Sequence, residues 1–163
     1  MRLSKILLCV IVVLCFVTVH FIFFRAPSEI NMIHKFHQRK GDFEQIRLML
    51  KEDKNVATIG SFWVTGKWSE EKGELSPYLS TKRLALYRSR LKDLGFSRVD
   101  SDDGYIQLEQ FGGGFTDTSW GIGYIWSATT PVPIVKSAYN QRPPQNTWCY
   151  SRIEGNWYIY QRR

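Results

Sequence analysis

The sequence predicts an α+β fold: an N-terminal transmembrane helix, then two or three helices packed on an antiparallel β-meander that ends in a C-terminal hairpin. Three observations lead there. An apolar stretch opens the chain, helical spacing of three and four residues governs the first half, and alternation with glycine-marked turns governs the second.

The apolar stretch is Ile6–Phe24, interrupted only by Thr18 and His20. As a helix it covers roughly 28 Å, close to the hydrocarbon thickness of a bilayer. A cleaved leader has a shorter apolar region and a small-x-small exit. Here the exit is Phe23-Phe24-Arg25-Ala26-Pro27, so an uncleaved anchor is expected. Leu8 before Cys9 and Leu14 before Cys15 are not the small residues a lipidation site needs. His20, near the exit, reads as a neutral imidazole reaching the headgroups. Arg2 and Lys5 flank the entry and Arg25 the exit, which favours an N-in orientation. The expected layout is a cytoplasmic tail at residues 1–5, a membrane anchor at 6–24, a juxtamembrane helix or linker at 25–41 and a single globular domain at 42–163. The domain then lies in the periplasm of a Gram-negative cell, tethered to the inner membrane.

After Pro27, residues 28–39 form a short helix that Gly41 interrupts. Asp42 with Gln45 has capping-box spacing, and Phe43, Ile46 and Leu50 share a face, so a second helix runs from Asp42 to about Asp53. Residues 56–59 and 62–65 are strand-like around Gly60, and 67–79 read as a polar loop. Ser80 caps the clearest helix, with Leu84, Tyr87, Leu91 and Leu94 as its stripe and Gly95 as its stop. Asp102-Asp103-Gly104 marks a turn, followed by strands at 105–111 and 118–127. In the latter, Trp120, Ile122, Tyr124 and Trp126 share a face, while Gly121 and Gly123 leave the other bare for something to pack closely. Residues 130–144 carry four of the six prolines and form an irregular connection. Residues 147–153 and 157–161 make a hairpin with Gly155-Asn156 in a type II′ turn.

Charge excludes a nucleic-acid reading. Of 22 lysines and arginines against 15 acids, Arg2, Lys5 and Arg25 belong to the anchor, so the domain is less basic than the whole-chain +7. Lys82, Arg83, Arg88, Arg90, Lys92 and Arg98 point to several sides of one helix and read as a solvated face. Cys149 is the only cysteine of the domain, which excludes a disulfide within it.

The catalytic and metal motifs are thin. Asp100-x-Asp102-Asp103-Gly104 brings its glycine one position too early for a calcium loop, and Gln110 stands where the bidentate glutamate belongs. Gly112-Gly113-Gly114 lacks the following Lys-Ser/Thr of a phosphate loop. His34-x-x-His37 has only Asp42 or Glu44 as further ligands, which is weak for zinc. Ser119 has no histidine after His37 to serve a triad. No cofactor is expected. Paired carboxylates remain as an enzymatic alternative, drawn from Glu70, Glu71, Glu74, Asp117 and Glu154.

The aromatic residues are the more distinctive signal. Trp63, Trp68, Trp120, Trp126, Trp148 and Trp157 are joined by Tyr105, Tyr124, Tyr150, Tyr158 and Tyr160, mostly in the β half. Alternation sets Trp157 and Ile159 on one face against Tyr158 and Tyr160 on the other. Most of these rings are expected in the core. Trp120, Trp126, Trp148, Tyr158 and Tyr160 are the candidates for an interaction surface.

Phe43-Glu44 with residues 48–53, Leu84-x-x-Tyr87-x-x-x-Leu91-x-x-Leu94-Gly95 and the ending Ile153-Glu154-Gly155-Asn156-Trp157-Tyr158-Ile159-Tyr160 resemble a family of small uncharacterised bacterial membrane-anchored envelope proteins. The resemblance runs through most of the chain after residue 30. It implies an envelope location and adds no catalytic residue. The expected function is a non-enzymatic binding domain held at the membrane by residues 6–24, with an envelope protein as partner. An envelope hydrolase using paired carboxylates is the alternative.

Overall fold

Ser28 starts the first helix: its hydroxyl accepts the Asn31 N–H at 3.3 Å, satisfying one of the donors a helix start leaves free. The helix, α1, then runs as Glu29–Glu52 in the computed structural model. Gly41 does not break it. The only non-helical backbone inside is Arg39, with φ −116° and ψ 17°. Met32, Phe36, Phe43, Ile46 and Leu50 are all buried in one core, and that shared burial outweighs the roughly 1 kcal/mol that a glycine costs a helix interior. Residues 25–41, expected as a juxtamembrane helix or linker, thus contribute Met32 and Phe36 to the core. The structure describes residues 26–69, 74–75, 79–113, 120–141 and 143–163. The expected anchor at 6–24 lies outside them, and among the described residues no helix is long and apolar enough to cross a membrane.

The second helix, α2 (Thr81–Asp93), begins as its sequence predicts, with the Ser80 hydroxyl accepting the Arg83 N–H at 3.1 Å. It ends in a Schellman motif: Phe96 N–H reaches the Leu91 carbonyl at 2.8 Å and Gly95 N–H the Lys92 carbonyl at 2.9 Å. Gly95 sits at φ +65°, the left-handed backbone this motif needs. Phe96 folds into the core behind it.

Nine strands appear among the described residues: β1 (Val56–Gly60), β2 (Val64–Gly66), β3 (Trp68–Ser69), β4 (Glu74–Leu75), β5 (Arg98–Asp102), β6 (Tyr105–Gly113), β7 (Trp120–Ser127), β8 (Trp148–Glu154) and β9 (Trp157–Arg162). β3 and β4 pair only with each other, inside the segment expected as loop. The other seven form one antiparallel sheet in the order β2-β1-β5-β6-β7-β9-β8. Two helices on this sheet make the fold α+β. A simple meander is corrected in two respects: β1 lies between β2 and β5, and the chain passes from β7 to the sheet edge, forms β8 there, and returns through Gly155-Asn156 to lay β9 between them. The reason lies in the residues of β9. Trp157, Tyr158, Ile159 and Tyr160 are buried on both faces of the sheet, which only an interior strand provides.

The registers fix the two ends of the sheet. Gly60, Arg98, Gly113, Trp120, Trp148 and Arg162 point toward one end, and Val56, Asp102, Ser127, Glu154 and Trp157 toward the other. Helices cover one face, with Phe36, Phe43, Phe96, Tyr124 and Trp157 meeting edge to face or tilted at centroid separations near 5 Å. Polar ties lock this layer. Trp157 Nε1 donates to Glu44 at 2.6 Å, Tyr124 hydroxyl to the Met32 carbonyl at 2.9 Å, and Tyr87 hydroxyl to Asp53 at 2.7 Å.

Candidate functional site

The face of the sheet turned away from the helices carries the most chemistry. Alternation along β9 sends Tyr158 and Tyr160 to it, β8 adds Trp148 and Tyr150, and β7 adds Ile125. Trp148 and Tyr150 lie parallel, 8° apart with centroids at 6.3 Å, and Trp148 tilts on Tyr160 at 5.4 Å. The Arg162 guanidinium sits 5.2 Å over the Trp148 ring, a cation–π distance. Tyr160 is wholly buried, its hydroxyl accepting from Gln107 Nε2 at 3.0 Å, and burial pushes its phenol far above the usual value. The face is therefore a small second core with Trp148 and Tyr150 half-buried at its rim.

The other half of this face is ionic. β5 alternates Arg98, Asp100 and Asp102, so its outward side is charged while Val99 points to the core. Arg98 bridges Asp100 at 3.0 Å and Glu109 at 3.1 Å. Thr58 hydroxyl donates to Asp100 at 2.9 Å and Ser97 hydroxyl to Glu109 at 3.1 Å. The irregular register between Glu109 and Phe111 turns the Glu109 carboxylate toward Gly112 and Gly121. Between the two halves lies an open groove of about 640 Å³, walled in part by Arg98, Asp100, Tyr105, Gln107, Trp148 and Arg162. Burial and the nearby Asp102 and Asp100 carboxylates raise the Tyr105 phenol above its usual value, so it is a neutral hydroxyl at physiological pH.

Of the five residues expected on an interaction surface, Trp148, Tyr158 and Tyr160 share the helix-free face, and Trp120 and Trp126 do not. Tyr158 and Tyr160 are 1% and 0% exposed, because strands pair on both sides of β9 and the rim rings close over them. Trp126 lies on the helix face with the Arg47 guanidinium 5.1 Å over its ring. Trp120 is exposed at the sheet end and packs on Phe111 at 5.1 Å. Trp148 alone borders the groove. The arginine bridge between Asp100 and Glu109 was missed in the sequence, where Asp100 reads only as part of a turn. Its signal was the alternation Arg98-x-Asp100-x-Asp102, strand-like in period but charged where strands are usually apolar.

Of the carboxylates proposed for acid–base work, only Glu74 and Glu154 lie in described elements. Glu70, Glu71 and Asp117 lie outside the described residues. Glu74 is in β4, which is not a strand of the main sheet, and Glu154 is at the β8–β9 turn. Glu154 is hydrogen-bonded to Lys40, which holds its carboxyl below the usual range. His37 stands 3.6 Å from Glu154, whereas His34 meets only Gln38, and Asp42 and Glu44 are engaged by Arg39 and Arg47. Among the described residues no three histidine, cysteine or acidic groups converge as a metal site. Asp102-Asp103-Gly104 is a turn, with Gly104 at φ +94° and Asp103 N–H on the Asp102 carboxylate. Cys149 is buried on the helix face, its thiol toward the Ala138 carbonyl at 3.7 Å and pushed up in pKa by that burial.

No family model matches this sequence, and comparison with curated proteins and with solved structures finds no match.

Proposed function

We propose that the chain is a single-span envelope protein whose extracytoplasmic domain binds another macromolecule on the helix-free face of its sheet and carries out no chemistry of its own. The observation that carries this reading is the groove, where a fixed ionic bridge at Arg98 lies beside the aromatic rim of Trp148 and Arg162. Prealigned charges and half-buried rings suit recognition, since neither needs ordering when a partner arrives. The apolar Ile6–Phe24 supports the membrane location, and the charges around it support the N-in orientation. An envelope protein fits such a groove better than a nucleic acid, because Arg98 is already neutralised by two carboxylates. The hydrolase alternative, drawn from Glu70, Glu71, Glu74, Asp117 and Glu154, has less support: Glu154 is engaged by Lys40, and no two of these carboxylates meet at the groove among the described residues.

Site-specific photo-crosslinking in native membranes tests it. A crosslinker at Trp148 should capture a discrete partner, and one at Gln38, exposed on α1, should not. Equal yields at the two positions would remove the groove as the binding face. Reporter fusions at the C-terminus, active only outside the cytoplasm, test the orientation separately.

A further inference from the structure

We propose that the Gly60 end of the domain is pressed against an anionic bilayer, with Phe62, Trp63 and Trp120 seated in the headgroup layer and Arg88 and Lys92 on its phosphates. The proposal rests on the anchor reading of Ile6–Phe24 and goes beyond it, since an anchor alone leaves the domain's orientation open.

The tether is short. Arg25, Ala26 and Pro27 alone separate Phe24 from the Ser28 cap, a reach of at most roughly 14 Å when extended. The domain therefore lies on the surface, and the question is which side faces down. Ala26 packs on the core and its carbonyl accepts from the Tyr139 hydroxyl at 3.5 Å. Tyr139 belongs to the segment that meets β8 and β9 near their Gly60-end termini: Cys149 reaches the Ala138 carbonyl, and the Gln161 amide, turned to donate, reaches the Gln141 carbonyl at 2.9 Å. Cys149 and Gln161 pair one step from Trp148 and Arg162. The chain thus leaves toward the anchor near this end.

The same end carries three of the four exposed aromatic rings among the described residues, the fourth being Tyr105 at the opposite end. The β1–β2 tip presents Phe62 at 92% exposure and Trp63 at 48%, and Trp120 starts β7 at 40%. Such rings are the ones that favour the headgroup layer. Beside the tip is a cleft of about 440 Å³ whose wall includes Ser61, Arg88 and Lys92 and, among the described residues, no carboxylate. Arg88 donates to the Gly60 carbonyl at 3.3 Å, and neither Arg88 nor Lys92 has an ion-pair partner among the described residues. Three neighbouring arginines are neutralised instead: Arg83 by Glu52 and Asp53, Arg90 by Asp42, Arg98 by Asp100 and Glu109. The opposite end differs: its turn acids Asp102 and Asp103 are paired with Lys67 and Glu154 with Lys40, so carboxylates stand among its lysines.

The test uses the full chain in vesicles containing an anionic lipid, with a fluorescent amino acid at Phe62 or at Asp103 and nitroxide quenchers on the headgroups. Quenching at 62 and none at 103 is expected. With Arg88→Gln and Lys92→Gln together, quenching at 62 should fall and lose its dependence on anionic lipid. Equal quenching at both positions, or quenching at 103 alone, overturns the proposal. Shielding of 62 from aqueous iodide without headgroup quenching also overturns it, since a second copy would then cover the tip. Alkaline carbonate extraction distinguishes the anchor: a chain that is washed off refutes the span, while one that stays embedded and shows no quenching at 62 refutes only the apposition.

Discussion

The ring of Tyr160 occupies the space above Gly123. A β-carbon built on that glycine would stand 2.9 Å from Tyr160 Cε1 and 2.1 Å from the Leu108 carbonyl oxygen. The bare glycine thus admits a wholly buried ring of the second core while the strands stay paired.

Gly123→Ala should therefore cost about 1–3 kcal/mol by overpacking, because backbone and a buried ring must both move. Gly41→Ala is the matched control. It meets nothing within 4 Å inside α1 and should stabilise by about 0.5–1 kcal/mol. Urea unfolding followed by tryptophan fluorescence gives both signs in one experiment.

Glu44 sets an acid limit. Burial raises its carboxyl, but hydrogen bonds from Trp157 and Arg47, with the Arg47 and Lys40 charges, outweigh that and leave it below the usual 4.5. A depressed carboxyl stabilises the fold above its unfolded pKa, and that stability is lost as pH falls through the folded value. The unfolding midpoint should drop below about pH 4.5, and Glu44→Gln should flatten that part of the curve while lowering the midpoint at pH 7.

Lys35 acts at the alkaline side with the opposite sign. Burial, reinforced by Arg39, pushes its ammonium down to about 8, and its Nζ lies 4.7 Å over the Phe96 ring. The folded state prefers the neutral amine, so a penalty holds in full below about pH 8 and is relieved as pH rises toward 10.5. Lys35→Met should raise the melting temperature at pH 7, and the gain should shrink across that window. A gain that is constant with pH would show packing alone at work.

Removing residues 157–163 takes out the strand between β7 and β8 together with Trp157, Tyr158, Ile159 and Tyr160. Loss of one large core aromatic costs about 3–5 kcal/mol, so the truncated chain should lose its near-UV signal and its thermal transition. Gly155 is at φ +56°, and Gly155→Val should cost about 1–2 kcal/mol on backbone strain.

Local chemistry was the legible part of this chain. Ser80, Gly95 and Phe96 announced a helix with both caps, and Gly155-Asn156 a hairpin, because each rests on contacts a few residues apart. Gly121 and Gly123 announced a close approach, though not that Glu109 and Tyr160 would supply it. What stayed hidden was decided at long range. β5 reads as a polar stretch because its outward residues pair across strands as Thr58–Asp100 and Arg98–Glu109. Gly41 reads as a break because nothing nearby says that Phe36 and Phe43 will meet the same Tyr124.

The place of β9 has a consequence for biosynthesis. An interior strand made of residues 157–162 means that β8 has no neighbour in the sheet, and Glu44 no indole, until that segment has left the ribosome. Helix α1, made first, waits with Phe36 and Phe43 unburied while more than a hundred residues follow. Closure must come late and through distant pairings, which is the slow regime of folding. During that interval the chain is a client for whatever binds exposed aromatic segments, and a cell that makes it quickly will have to hold it open.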